Sequence, residues 1–285
     1  MISALSSSTR RGLGAILACW ALLGFNTTFG YALDIQPEGF VDVNGGQAFT
    51  DQDAFGFFVQ DLADLLTPGP ATAGSTLGGL GLRFSAGGGV GLIKSDSDAW
   101  ARGNGQNKSI VGLMDIRLRK GLPWAFELGS QISHIPGSNL WGFGLELSNS
   151  VTEGLPSLPD IKLTIGTMAT AGEEAINLMT VHGRVVVSKG FPLRGWGRIE
   201  PFFGYQFVFL QASTRRVVAF EQQPNGLGGF ISVGDPVEGL LPNPTRSIHR
   251  GVVGVSLRVG RFSFTAYGTG SSRVGKAGLD LSLNY

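Results

Sequence analysis

The chain is poor in cysteine, histidine and charge: one Cys, three His, and Asp, Glu, Lys and Arg at only 15% of its 285 positions. A single thiol, Cys19, allows neither an internal disulfide nor a cysteine-based zinc site. With 22 basic against 21 acidic residues, there is no basic excess for a nucleic-acid surface and no charge density of a disordered chain. Long apolar runs are missing as well. Beyond residue 32 nothing approaches the roughly 18 to 20 consecutive apolar residues that a helical membrane span needs. Glycine is what the chain has in quantity: 45 residues, without a Gly-X-Y period. This excludes collagen and disfavours a mainly helical fold, because Gly weakens helix interiors.

Residues 1–32 read as a secretory signal peptide. Arg10 and Arg11 precede an apolar core from Gly12 to Phe25, and small residues follow near Gly30 and Ala32. The core is about 14 residues long, shorter than a membrane anchor. Cleavage removes Cys19 and leaves 20 basic against 21 acidic residues.

From about residue 78 onward one pattern recurs, an alternation of period two that marks strands with two differently solvated faces. Ile110, Met114, Ile116 and Leu118 oppose Leu113, Asp115, Arg117 and Arg119. Trp124, Phe126, Leu128 and Ile132 oppose Glu127, Gly129 and Gln131; Trp141, Phe143, Leu145 and Leu147 oppose Gly142, Gly144, Glu146 and Ser148. The same reading covers Leu82 to Phe84 around Arg83, Ile161 to Ile165 around Lys162, Met179 to Val187 around His182 and Arg184, and Ile199 to Phe209 with Glu200 on the polar face. It continues through Val253 to Val259 around Arg258, Phe262 to Phe264, and Leu279 to Tyr285 around Asp280. About ten strands result, with eight or twelve as alternatives.

A soluble sandwich turns its apolar face inward and a membrane barrel turns it to lipid. The polar face distinguishes them, because here it is mostly Gly, Ser and Thr with isolated charges rather than the Lys and Glu of a wetted sheet. Several strands also run to about 11 residues, the length of a tilted membrane crossing. Connections alternate short and long, as in barrels with short periplasmic turns and longer outer loops. The short ones, Lys120 to Pro123, Glu153 to Pro156 and Lys189 to Pro192, share a charge-Gly-apolar-Pro pattern; the longest runs from 212 to 247.

The last strand carries Gly278, Leu281 and Leu283 and ends on the aromatic Tyr285. It resembles the C-terminal strand of bacterial outer-membrane β-barrel proteins, although a terminal Phe is commoner there. The resemblance is at the level of the class and spans about 78–285. It implies a transmembrane antiparallel up-and-down barrel in the bacterial outer membrane, with lipids and the barrel assembly machinery as partners and the terminal strand as the assembly signal.

Residues 33–77 form a separate N-terminal segment. Thr50 is placed to cap a helix over 51–66 whose apolar residues Phe55, Phe58, Val59, Leu62, Leu65 and Leu66 share one face. That helix packs either at the periplasmic rim or membrane surface, or as a plug inside the barrel, where inward glycines such as Gly129, Gly142, Gly166 and Gly278 leave room. The inward charges, Arg83, Arg117, Arg119, Lys162, Arg184 and Arg258 against Asp115, Glu127, Glu146, Glu200 and Asp280, number six against five. They read as a paired network or as a pore lining. His182 points inward beside Arg184 and is expected to face Glu200; His134 points to lipid or the aromatic rim, and His249 to solvent at a loop end.

No nucleophile-base pair, metal spacing or cofactor motif emerges, so no enzymatic activity, metal or cofactor is assigned. The functional expectation is a narrow channel or binding barrel for small or amphipathic solutes, gated by the inward charges. The alternative is a structural or surface-interaction protein acting through the 212–247 loop, which carries Val217, Val218, Phe220, Phe230 and Ile231.

Overall fold

A computed structural model describes residues 35–285 apart from 45–46, 71–72, 94–96, 105–109, 153–157, 174–175, 215–216, 225–229, 240 and 242. The segment read as a signal peptide lies outside the described residues.

A 3-10 turn, Pro37–Phe40, leads into a hairpin of β1 (Val41–Asn44) and β2 (Gln47–Thr50), followed by α1 (Gln52–Leu66). Then come β3 (Leu82–Ile93), α2 (Ser97–Asn104), β4 (Ile110–Gly121), β5 (Phe126–His134), β6 (Trp141–Ser150), β7 (Asp160–Ala171) and β8 (Ile176–Ser188). After the short β9 (Phe191–Leu193) and long β10 (Gly197–Thr214), a hairpin of β11 (Val217–Pro224) and β12 (Phe230–Gly239) precedes β13 (Thr245–Val259), β14 (Phe262–Gly270) and β15 (Val274–Asn284).

Ten of these strands, β3 to β8, β10 and β13 to β15, make one antiparallel sheet that closes on itself. β15 pairs with β3 from Val274 opposite Ile93 to Asn284 opposite Arg83, and β10 pairs with both β8 and β13. Closure leaves the wall without an unpaired edge. The alternation then separates two environments within one residue: Leu145 is 58% exposed on the outside while Glu146 is 6% exposed on the inside. Phe84, Ile116, Phe143, Ile165, Phe203 and Phe264 belong to the same exposed outer band. An apolar belt of this extent is far larger than the patches a soluble monomer shows.

One rim gathers the start of β3, the terminal Tyr285 and the short turns at 122–125 and 260–261; the other carries the connections around α2 and the β11–β12 hairpin. Short turns mark the periplasmic side of such barrels, so the second rim is the outer one. In the turn before β5, Trp124 and Ala125 both have positive φ, 57° and 59°, the pattern of a type I′ hairpin. The periodicity had placed Trp124 in the strand; the strand begins two residues later because this turn consumes Trp124 and Ala125.

The N-terminal segment enters from the outer side. β1 and β2 contact β11 and β12, and Arg102 of α2 pairs with Asp42 and Asp51 at 3.4 and 3.5 Å. The cap of α1 is Asp51 rather than Thr50: its Oδ1 accepts from the Ala54 N–H at 3.1 Å, leaving Thr50 in β2. In a Cys19→Ser background, Asp42→Cys is expected to react with a membrane-impermeant maleimide on intact cells. Arg261→Cys, in the opposite turn, should react only after the outer membrane is permeabilised. The reversed pattern would invert the assignment of the rims.

Candidate functional site

The lumen holds α1 in its outer half and residues 67–70 and 73–77 in its inner half. The strands' outer ends supply the reason for the first: their inward positions are apolar, with Leu113, Leu178, Val208, Leu210 and Ile248 all buried. They form a socket for Phe55, Phe58, Val59, Leu62, Leu65 and Leu66, each at most 1% exposed. Phe58 sets its ring edge-on to Trp100 of α2 at 5.0 Å, and Phe40 lies 5.3 Å from Phe55. At Gly91 the wall must lack a side chain, since a Cβ there would come within 2.1 Å of Leu65 Cδ2. A helix seated here is neither at the periplasmic rim nor on the membrane surface, which corrects that alternative. Period two reports which positions face inward but not at what height they become apolar.

Wall cations fix the helix end. Arg250 donates to Asp64 Oδ1 at 2.9 Å and to the carbonyls of Asp64, Thr67 and Pro68 at 3.1, 3.2 and 2.6 Å. Lys276 donates to the carbonyls of Leu65 and Thr67 at 3.1 and 2.9 Å. Together they satisfy carbonyls that a helix C-terminus leaves without partners and place positive charge at the negative end of its dipole. Nearer the mouth, Arg273 pairs with Asp61 at 2.9 Å and lies over the Phe57 ring at 4.2 Å, and Arg246 pairs with Asp53 at 3.6 Å.

Below the helix the polar backbone of residues 67–70 and 73–77 is matched by the wall. Arg184 donates to the Pro68 carbonyl at 3.3 Å, the Gly74 N–H to Ser188 Oγ at 2.8 Å, Lys162 to the Ser75 carbonyl at 3.3 Å, and the Leu77 N–H to Glu127 Oε1 at 2.8 Å. Gly69 passes under Tyr267, where a Cβ would lie 2.4 Å from the ring. At the inner mouth a cavity of about 300 Å³ is lined by Leu77, Arg258, Gly260, Arg261, Asn284 and Tyr285.

The wall also carries its own ionic network. Arg119, Gly129, Glu146, Gly166 and His182 stand in register across five adjacent strands. The two glycines let the carboxylate reach both neighbours. Glu146 accepts from Arg119 at 2.6 Å, from Arg184 at 3.1 Å, and lies 3.2 Å from His182 Nε2. Glu127 pairs with Lys162 at 2.7 Å and with Arg119 at 3.7 Å; Arg117 pairs with Asp115 at 2.6 Å and Asp280 at 3.4 Å. Arg83 donates to Asn284 at 2.5 Å, while Glu200 accepts from Ser188 at 2.7 Å and from Ser75 of the threaded segment at 3.3 Å.

Three expectations change. His182 meets Glu146 rather than Glu200, because the strand opposite it in β10 offers Val208 at that height. Arg258 lines the inner mouth, exposed rather than within the buried paired network. His249 lies on the outer face, hydrogen-bonded to the Tyr205 hydroxyl and edge-on to Phe207, rather than in solvent at a loop end. His134 stacks on Trp141 at 4.0 Å at the outer rim. Of the terminal strand, Gly278 faces in against Tyr267, Leu281 and Leu283 face out, and Tyr285 is 67% exposed at the inner rim. Side chains of the 217–239 hairpin, Val217 to Ile231 among them, lie outside the described residues.

Sequence reasoning missed Arg250, Lys276, Asp61 and Asp64. The first two share the inward parity of Gly254 and Gly278, so extending the alternation by a few residues would have found them. The aspartates were hidden on a helix read only for its apolar stripe.

A closed antiparallel wall, greasy outside and ion-paired inside, decides the class. The fold is that of the bacterial outer-membrane β-barrels. No protein-family model matches the sequence, and no curated protein matches it. Among solved structures it is similar to the translocator domain of the autotransporter NalP from Neisseria meningitidis, at 9% identity over 82% of this chain and 95% of that one, with a TM-score of 0.38. An outer membrane channel from Pseudomonas putida F1 follows at 8% identity, 76% and 100% coverage and 0.35. The N-terminal β-barrel domain of Pseudomonas aeruginosa OprF gives 10% identity, 73% and 99% coverage and 0.29. The assignment rests on this chain's own closure and patterning. Among the described residues no cluster of His, Cys, Asp or Glu is arranged to hold a metal ion.

Proposed function

We propose that this barrel is a gated channel for small solutes, exported by its leader of residues 1–32, inserted among outer-membrane lipids by the assembly machinery and closed by α1 and the residues that follow it at 67–70 and 73–77. One observation carries the reading: α1 shares no strand pairing with the wall. Its withdrawal breaks no bond of the closed ladder. Barrels only slightly narrower than this one fill their lumens with side chains of their own strands. Here a separate segment supplies much of the filling, held by an apolar socket and by ion pairs and hydrogen bonds at its lower end.

Planar-bilayer recording tests it. The full chain is expected to be mostly closed. Asp64→Asn removes a charge-assisted contact worth about 1.5–3 kcal/mol, which corresponds to an increase of roughly tenfold or more in the ratio of open to closed time. Deletion of residues 51–66 is expected to leave a persistent current from protein that still migrates as a heat-modifiable folded barrel. Folded protein without current in all three forms would sink the channel. It would favour instead a surface-interaction role for the outer hairpin, the reading supported by its contact with β1 and β2.

A further inference from the structure

The helix that fills the outer lumen is acidic throughout. From 51 to 66 it carries Asp51, Asp53, Asp61 and Asp64 and no basic residue, and no charge follows before residue 78. The wall answers it with cations at successive depths: Arg246 and Arg273 at the mouth, and Arg250 and Lys276 below them. These cations differ from the rest of the lumen in where their partners lie. Arg117, Arg119 and Lys162 are matched by carboxylates of the wall itself. Among the described residues, Arg250 and Lys276 have no carboxylate partner on the wall, and both are buried.

Withdrawal of the helix would therefore uncover a positive track leading from the outer mouth towards the ion-paired middle of the barrel. Two buried cations with no wall carboxylate at ion-pair distance among the described residues set the sign of that path, because an occupant must offer them acceptors and negative charge in place of Asp64 and the helix-end carbonyls. We infer that the solutes this channel admits are anions bearing carboxylate or phosphate groups, and that α1 closes the path by imitating them. The inference rests on the channel reading and assigns its substrate class. Anionic solute and acidic helix compete for Arg250, Lys276 and Arg273, so the solute itself promotes opening from the outer side.

The test uses the 51–66 deletion in a potassium chloride gradient. The reversal potential is expected to report chloride passing more readily than potassium, and Arg250→Gln with Lys276→Gln in that background should bring the permeability ratio towards unity or below. In the full chain, citrate added to the outer side should raise the open time, whereas spermine at matched ionic strength should not. A conducting pore that prefers potassium, or opening by spermine as readily as by citrate, overturns the anion assignment and leaves the channel standing. Absence of current under every condition overturns both. Should the deletion fail to fold, the citrate and spermine comparison on the full chain decides alone.

Discussion

Glu146→Leu is expected to lower the unfolding free energy of the barrel by about 3–5 kcal/mol, the usual cost of stripping a buried charge of its partner. Glu146 is the shared acceptor of Arg119 and Arg184 and the neighbour of His182, and all four side chains are buried. Removing it leaves Arg184, among the described residues, with the Pro68 carbonyl as its one hydrogen-bond acceptor. Glu146→Gln keeps the shape and one acceptor oxygen and should lose less. Urea titration of protein refolded into vesicles gives both numbers. A loss under about 1 kcal/mol would be the behaviour of an exposed pair. It would mean that water reaches this carboxylate in the closed state and that the threaded segment does not seal the lumen.

The adjacent residue carries the second large effect, on the opposite side of the wall. Leu145→Arg sits at the middle of β6 on the exposed face and should cost about 2–4 kcal/mol, the depth-dependent penalty of a cation near the bilayer midplane. Trp141→Arg, at the outer end of the same strand, should cost only about 0–1 kcal/mol. The comparison uses the same added group on the same face of one strand, so the depth in lipid is what differs. Equal costs at the two positions would argue against a membrane around this face.

The wall was legible because a strand's side chains alternate with a period of two: Leu145 and Glu146 fall on opposite faces in any regular strand, and a greasy row with no charge has to meet lipid or a dry core. The amphipathic helix was legible for the same kind of reason, its six apolar residues lying on one stripe. Its position was not. Of the charge-Gly-apolar-Pro segments, Lys120 to Pro123 falls at the inner rim, Glu153 to Pro156 lies outside the described residues and Lys189 to Pro192 runs into β9 ahead of a turn at 194–196; nothing in local pattern says that a segment preceding the first strand arrives from the opposite rim. Nor does it say that Asp64 meets Arg250, which lies 186 residues further along the chain.

Local periodicity thus determined the wall strands, their two faces and the register constraint, since each depends on residues within a few positions of one another. Tertiary structure alone decided that Glu146 serves Arg119 and Arg184 across glycine gaps, that Arg250 and Lys276 grip the end of α1, and that the lumen is occupied. Those contacts arise when ten strands close and bring distant positions to the same height. Closure is a property of the whole sheet, and no single strand contains it.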